Sequence, residues 1–188
     1  MSEFIFRKRK WCLLKDKKVY GTPVFDLHEK EAAPEKNSDA GKFYVLKAPE
    51  WINIMAFTAD GRIILVEQYR HGTGDVTLEI PGGIVDPGEH PRTSAERELR
   101  EETGHTAGSW SYLGKTSANP AIMNNYTHLF LATECRKTGS PDTGEFEDIG
   151  VHLMEPGRFY DCIRDGTVHH AIVLAAVTRF LLSTSGNL

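Results

Sequence analysis

A short acidic segment constrains this chain more than any other feature of its sequence. Between Gly83 and His105, a turn at Asp86-Pro87-Gly88 precedes a helix that the pattern predicts from about Pro91 to Thr103. Proline is accepted in the first turn of a helix, and Gly104 is placed to end it. The segment therefore predicts a short, well-bounded helix that follows a turn.

Three glutamates of this helix emerge on one face. Glu98, Glu101 and Glu102 stand at positions i, i+3 and i+4, and like charges so spaced destabilise an isolated helix by roughly 0.2–0.5 kcal/mol per pair. A cation bound between the carboxylates would reverse the sign of that effect. Carboxylate oxygen suits hard ions such as Mg²⁺ or Mn²⁺, which keep positions for water and substrate phosphates. The alternative is an ordinary solvated acidic face.

The spacing of the residues around this helix resembles the Nudix box, the signature of hydrolases that cleave nucleoside diphosphates linked to another moiety. The matching positions are Gly83, Glu89, Arg97-Glu98-Leu99, Glu101-Glu102 and Gly104. One position departs from the family pattern. His105 stands where the family has an aliphatic residue, at a position that packs the loop after the helix and does not bind metal in the family.

The resemblance implies a site with two or more divalent ions, Mg²⁺ or Mn²⁺, that position a water for in-line attack. The implied metal ligands are the carbonyl of Gly82 and the carboxylates of Glu98, Glu101 and Glu102. Arg97 would orient a neighbouring glutamate by a charge-assisted hydrogen bond.

The general base is implied to lie outside the box. In the resembling ADP-ribose pyrophosphatases, a glutamate on a mobile loop before a late strand takes the proton from the attacking water. Here that loop carries Glu145 and Glu147. Residues two apart share a side of an extended chain, so their spacing cannot choose between them. We prefer Glu145, which is farther from the next predicted strand and is freer to move with the loop.

Two residues before the box are candidates for substrate binding. Arg70 ends a predicted strand, where it matches an arginine that contacts the diphosphate in the resembling enzymes. The alternative is an ordinary surface arginine, since strand ends carry many such residues. Glu79 either contacts the ligand or pairs with a nearby arginine, and the sequence leaves both possibilities open.

Three further residues are candidates for recognising the base and sugar. Pro120 lies sixteen residues after Gly104, close to where ADP-ribose pyrophosphatases carry a characteristic proline, although Ala121 stands where those enzymes usually have glycine. Phe25 and Trp51 are preferred over Trp11 as residues that lie against an adenine ring, because of their position near the sheet that joins the two parts. Adjacent histidines at positions 169 and 170 do not share a helix face, which argues against a metal pair.

Composition narrows the classes of partner and location. The 188 residues are 40% apolar and 26% charged, with a net charge of -4, so no global field attracts polyanions and nucleic acid is not an expected partner. No segment approaches the ~20 apolar residues that span a bilayer, so no membrane partner is expected. Three cysteines without a CxxC pattern argue against a disulfide framework or a zinc site, and a reducing cytoplasm is expected.

The order of predicted elements divides the chain near residue 47. Residues 1–47 read as short strands, among them FIF, WCLL, VFDLH and FYVLKA, with Glu29 to Gly41 as the longest and least structured connection. Such a sheet is marginal alone, so we expect it to form a homodimer and to help bind the base. Residues 48–188 are expected to form the hydrolase domain, which includes a hairpin of WINIMAF and RIILVEQYR.

The sequence therefore predicts an α/β fold, the Nudix α/β/α sandwich with a mixed sheet, plus a small N-terminal antiparallel β-sheet. The implied reaction is Mg²⁺-dependent hydrolysis of ADP-ribose to AMP and ribose 5-phosphate. The alternatives are hydrolysis of another nucleoside diphosphate sugar such as GDP-mannose, a non-catalytic ADP-ribose sensor, or RNA decapping. The preferred base and sugar, the phosphorus attacked and the physiological role are not determined by the sequence.

Overall fold

Two sheets and three helices make up the part of the chain that this computed structural model describes, residues 10–35, 38–144 and 148–184. The strands are β1 (Cys12–Gly21), β2 (Asp26–Ala33), β3 (Gly41–Lys47), β4 (Trp51–Thr58), β5 (Ile63–Arg70), β6 (Asp75–Glu79), β7 (Gly82–Ile84), β8 (His105–Thr106), β9 (Ser109–Thr116), β10 (Thr127–Lys137) and β11 (Ile149–Met154). The helices are α1 (Pro91–Thr103), α2 (Pro156–Arg164) and α3 (Ala171–Thr184).

The larger sheet has eight strands and is mixed. Its central path is β11-β5-β4-β10-β8, while β6 pairs with β5, β7 with β4 and β9 with β10. β4 and β10 run parallel, and the other neighbours are antiparallel. β4 and β5 pair at Phe57 and Ile63, next to the turn that joins them; farther along, β4 pairs with β7 and β5 with β6. The two strands of the predicted hairpin therefore separate beyond their turn. The chain from β6 to β7 crosses from the strand beside β5 to the strand beside β4.

Helices cover both faces of this sheet. One face packs on α2 and α3 through a core that includes Met55, Ile63, Leu65, Leu129, Phe159, Val173 and Ala176. The other face packs on α1 through a core that includes Ile52, Ile54, Ile64, Phe130, Ala95 and Leu99. Because successive strand residues point to opposite faces, the continuous apolar runs of β4 and β5 supply both cores. The predicted α/β/α sandwich is confirmed.

The predicted bounds of the acidic helix are also confirmed. α1 begins with Pro91 after His90, whose side chain accepts a hydrogen bond from the backbone N–H of Arg92. It ends at Gly104, which adopts a left-handed conformation with φ of 71°. A Cβ there would lie 2.4 Å from the backbone oxygen of Gly139, so both the backbone angle and the close approach require glycine.

The smaller sheet is antiparallel, in the order β1-β2-β3. The predicted N-terminal antiparallel sheet is therefore present, although the FIF segment lies outside the described residues. The expectation for Glu29 to Gly41 was partly wrong, since β2 continues to Ala33. Cross-strand ion pairs explain the difference, because they allow charged residues to support a strand. The pairs within this segment are Lys15–Glu31 and Lys42–Glu29.

Backbone contacts divide the chain into two compact units. The first runs up to Ala48 and includes Asn119–Asn124, and the second contains Pro49–Ala118 and the chain from Asn125. The backbone N–H of Leu46 donates to the Ile122 carbonyl at 2.7 Å, which joins the later segment to β3. The roles expected of residues 1–47 in dimerisation and base binding, and of 48–188 in hydrolysis, stay predictions.

The three cysteines of the chain are not joined by a disulfide bond. Cys12, Cys135 and Cys162 are free thiols. None of the helices in the described ranges combines the length and apolar character needed to cross a membrane. The predicted cytoplasmic location stays a prediction.

His105 is a buried titratable side chain at the end of the acidic segment. It is 4% exposed, and its Nδ1 lies 2.8 Å from the carbonyl oxygen of Thr103. Burial lowers the pKa of His105; the hydrogen bond to Thr103 opposes this effect, and the charge of Lys137 adds to it. The unfolded chain therefore binds this proton more readily than the folded chain does. The His105 contribution to stability is present above the unfolded pKa of about 6.5 and is lost as the pH falls below it.

We predict that His105→Leu reduces the acid-induced loss of stability. The difference in the free energy of unfolding between about pH 8 and about pH 5 should be smaller in this variant than in the wild type, because leucine does not titrate. Urea denaturation at both pH values measures the difference, with His169→Asn as a control at an exposed histidine. Equal pH dependence in His105→Leu and wild type would contradict the prediction.

Candidate active site

Arg97 lies at the centre of the acidic face of α1. Its Nη1 donates to Glu98 Oε1 at 2.8 Å and to Glu101 Oε2 at 3.1 Å. Its Nη2 donates to Glu89 Oε2 and to the carbonyl oxygen of Ile84, both at 3.1 Å. Burial alone would lower the pKa of Arg97, but the bonds to Glu89 and Glu98 raise it well above its usual value. The guanidinium therefore stays charged and offsets the repulsion among the acids.

Glu102 and the glycines of β7 bring the strand against the helix. Glu102 is 6% exposed, and its Oε2 accepts a hydrogen bond from the backbone N–H of Gly82 at 3.0 Å. A Cβ on Gly83 would lie 2.3 Å from the carboxylate oxygen of Glu98. A Cβ on Gly82 would lie 2.5 Å from the Ile52 carbonyl oxygen. Side chains at these two positions would therefore push β7 away from the acids or from β4.

The chemistry of this donor set fits a hard divalent cation. The predicted ligands lie on two elements that pack together, with Gly82 on β7 and Glu98, Glu101 and Glu102 on α1. In the described residues, however, no three His, Cys, Asp or Glu side chains already converge to hold a metal ion. Glu98 and Glu101 are instead hydrogen-bonded to Arg97. A cation would have to draw these carboxylates toward itself.

A second carboxylate, Glu79, is buried at the end of β6. It is 1% exposed, and it accepts hydrogen bonds from Arg70 Nε at 2.7 Å and Arg70 Nη2 at 2.8 Å. Thr77 Oγ1 donates to it at 2.5 Å, and His170 Nδ1 lies 2.6 Å from Oε2. Burial alone would raise the pKa of Glu79, but the hydrogen bonds from Arg70, His170 and Thr77 together hold it far below its usual value. Glu79 is therefore ionised in the folded protein.

The sequence left open whether Glu79 contacts the ligand or pairs with a nearby arginine, and the structure shows the pair. Glu79 pairs with Arg70, so the arginine is not an isolated surface residue, although its side chain remains 41% exposed. The sequence analysis missed Thr77 and His170. Thr77 has a local signal, because residues two apart on a strand share a side. His170 has none, since it lies 91 residues from Glu79 along the chain.

The remaining predicted residues lie in three places. Phe25 and Pro120 belong to the first compact unit, where Phe25 is half-buried and Pro120 is exposed. Trp51 begins β4 in the second unit and is half-buried. Glu145 and Glu147 lie outside the described residues. The roles of all five stay predictions.

The described chain just before Glu145 is hydrogen-bonded to the end of α1. The N–H groups of Thr138 and Gly139 donate to the carbonyl oxygen of Gly104 at 2.8 and 3.1 Å. Farther on, the N–H of Asp142 donates to the backbone oxygen of Glu101 at 2.8 Å. The segment that leads toward the two loop glutamates is therefore attached to the helix that carries the acids.

Comparison with known proteins identifies the family. The model of the NUDIX domain matches residues 48–171. The chain is 33% identical over 153 residues to the ADP-ribose pyrophosphatase of Bacillus subtilis, in an alignment that covers 76% of this chain and 82% of that protein. It is 38% identical over 137 residues to the ADP-ribose pyrophosphatase of Mycobacterium tuberculosis, with coverage of 72% and 66% respectively. The second alignment thus covers just under two thirds of that relative.

A solved structure has the same fold. The crystal structure of an ADP compounds hydrolase superposes with a TM-score of 0.80, covering 95% of this chain and 97% of the other at 23% identity. At that identity the likeness concerns the fold, whereas the domain model and the Bacillus subtilis relative concern the family. The chain belongs to the NUDIX domain family, and the prediction of a Nudix pyrophosphohydrolase is confirmed at the level of the family.

Proposed function

We propose that this protein hydrolyses the diphosphate linkage of ADP-ribose, giving AMP and ribose 5-phosphate, with Mg²⁺ or Mn²⁺ as cofactor. The observation that carries the proposal is the set of box glutamates held by Arg97 and by the backbone of β7. Two relatives named ADP-ribose pyrophosphatase support the choice of a nucleoside diphosphate sugar.

Two other functions remain in competition with this proposal. Another nucleoside diphosphate sugar, such as GDP-mannose, would use the same acids. A non-catalytic ADP-ribose sensor would bind without turnover. The complete set of box acids favours an enzyme, because a binding module gains nothing from keeping mutually repelling carboxylates on one helix face.

The residues of the chain have distinct tasks in the proposed reaction. Glu98, Glu101, Glu102 and the Gly82 carbonyl would hold the metal, which would neutralise the diphosphate and activate water. Arg97 bonds to Glu98 and Glu101. The same guanidinium donates to the Ile84 carbonyl of β7, so it would orient these acids beside the strand. Arg70 would bind the diphosphate, and its bidentate pairing with Glu79 fixes the plane of the guanidinium before substrate arrives.

We propose Glu145 as the general base, with Glu147 as the alternative. The hydrogen bond between the Asp142 N–H and the Glu101 backbone oxygen supports a base from this part of the chain, because it attaches the segment that leads toward both residues to the helix that carries the acids.

A panel of nucleotide sugars tests the proposed activity. We expect the purified protein to hydrolyse ADP-ribose with Mg²⁺, to act more slowly on GDP-mannose and to lose activity in EDTA. Glu102→Gln removes one proposed ligand at nearly constant volume, so it should lower turnover by about 10²-fold or more. Intact ADP-ribose that nevertheless binds to the protein would establish the sensor, and full turnover by Glu102→Gln would show that the ligands are wrongly assigned.

The choice of general base has its own test. Glu145→Gln should lower kcat by about 10²- to 10⁴-fold, with little change in the affinity for ADP-ribose or Mg²⁺. Glu147→Gln is the matched control on the same loop and should retain most of the activity. A larger loss in Glu147→Gln would exchange the two roles, and small losses in both would place the base within the box.

We also propose a homodimer formed through the three-stranded sheet. Several large apolar side chains of this unit are at least 42% exposed, namely Trp11, Leu13, Leu14, Val19, Tyr20, Val24, Phe43, Tyr44 and Ile122. Exposed apolar surface of this extent is typical of an interaction site. A second copy of the chain is the occupant that the marginal stability of a three-stranded sheet favours.

Light scattering tests the dimer at micromolar concentration. We expect a dimer that Leu13→Glu converts to monomer, because a charge placed in an apolar interface is desolvated without a partner. Leu182→Glu is the control, since Leu182 is 58% exposed on α3 in the other unit. A monomeric wild type would exclude the proposed dimer.

A further inference from the structure

Glu79 holds two nitrogen-bearing side chains at once. Arg70 is bound through two nitrogens, and His170 contacts the same carboxylate through Nδ1. Glu79 itself is 1% exposed, whereas the side chains of Arg70 and His170 are 41% and 33% exposed. Because Nδ1 is turned toward the carboxylate, Nε2 lies on the edge of the His170 ring that faces away from Glu79.

We propose that His170 is a further substrate-binding residue, which donates from Nε2 to a phosphate oxygen of the diphosphate beside Arg70. This inference rests on the proposed function, because it assigns His170 to the diphosphate of the same substrate. An imidazolium donates from both nitrogens. Its Nδ1 would remain on Glu79, and its Nε2 would be directed at the substrate.

Charge supports an anion as the ligand of this cluster. Glu79 is ionised, as its lowered pKa requires, and it offsets one of the two cations when His170 is protonated. The charges of these three side chains then sum to one net positive charge. A phosphate oxygen is the complementary partner, and hydrogen bonds between charged groups are roughly twice as strong as neutral ones.

Position supports the diphosphate in particular. Glu79 ends β6, and Gly82, a proposed metal ligand, begins β7 three residues later. Three residues span at most about 11 Å, so the backbones of Glu79 and Gly82 lie within that distance of each other. A diphosphate held by metal at Gly82 would bring its phosphate oxygens toward this edge. The start of α3, which follows His170 directly, fixes the backbone of the histidine.

A purely structural role for His170 makes a different prediction. Its Nδ1 could serve only to satisfy Glu79, since a buried carboxylate that loses a donor is destabilised. Asparagine at position 170 keeps a donor near the place of Nδ1 and has nothing at the place of Nε2. Glutamine instead places its amide near Nε2 and gives up the donor near Nδ1. The two variants therefore separate the two nitrogens.

The test measures stability and ligand affinity in these variants. Urea denaturation gives stability, and calorimetric titration with inorganic pyrophosphate in EDTA gives affinity without a metal. We expect His170→Asn to keep near wild-type stability and to lose about tenfold in pyrophosphate affinity, the usual effect of one charge-assisted hydrogen bond. His170→Gln should lose stability and retain more affinity than His170→Asn. Arg70→Ala should lose affinity, and His169→Asn, at the exposed neighbouring histidine, should change neither quantity.

Three results would overturn the proposal. Wild-type affinity in His170→Asn would limit His170 to supporting Glu79. Equal loss in His169→Asn and His170→Asn would indicate an unspecific effect of charge. Absence of pyrophosphate binding by the wild type would exclude a diphosphate site at the cluster. The outcome is separable from the substrate panel, because a protein that leaves ADP-ribose intact can still bind pyrophosphate through His170.

Discussion

The structure around the site depends on how three like charges are kept on one helix face. Repulsion among Glu98, Glu101 and Glu102 disfavours α1 as an isolated helix. Arg97 bonds to the first two, and the backbone N–H of Gly82 bonds to the third. The bond from Gly82 requires β7 to lie against α1. That approach requires glycine at position 83, because a Cβ there would collide with Glu98. The acidic face of α1 and the glycines of β7 therefore depend on each other.

The two carboxylate clusters differ in how readily they can exchange partners. Glu98 and Glu101 are partly exposed, with side-chain exposures of 15% and 32%, so the carboxylates can turn from Arg97 toward a metal at modest cost. Glu79 is fully enclosed by Arg70, Thr77 and His170, and loss of any donor would leave a buried charge less well compensated. The first cluster suits a site that binds and releases a ligand. The second suits a rigid support for the side chains that it holds.

The geometry of the β4–β5 hairpin brings these clusters near each other. Its strands pair at Phe57 and Ile63 and then take different partners, β7 and β6. The chain between β6 and β7 crosses from one arm to the other within Ile80 and Pro81. Proline suits this crossing because it fixes the backbone where ladder pairing changes. As a result, only two residues separate Glu79, on the strand that pairs with β5, from Gly82, on the strand that pairs with β4.

The sequence by itself determined the bounds of α1, the glycine that ends it, the hairpin and the family, because each depends on local spacing or on a short motif. Only the tertiary structure decided that Glu79 pairs with Arg70, that His170 joins them from 91 residues away, and that Asn119–Asn124 belongs with the N-terminal sheet. The full length of β2 also could not be predicted from the local sequence, since its charged residues are stabilised by partners on other strands. The physical reason is common to these cases. A residue's neighbours in sequence set its conformational preferences, but the partner that neutralises a charge or satisfies a buried polar atom is chosen by packing between distant segments.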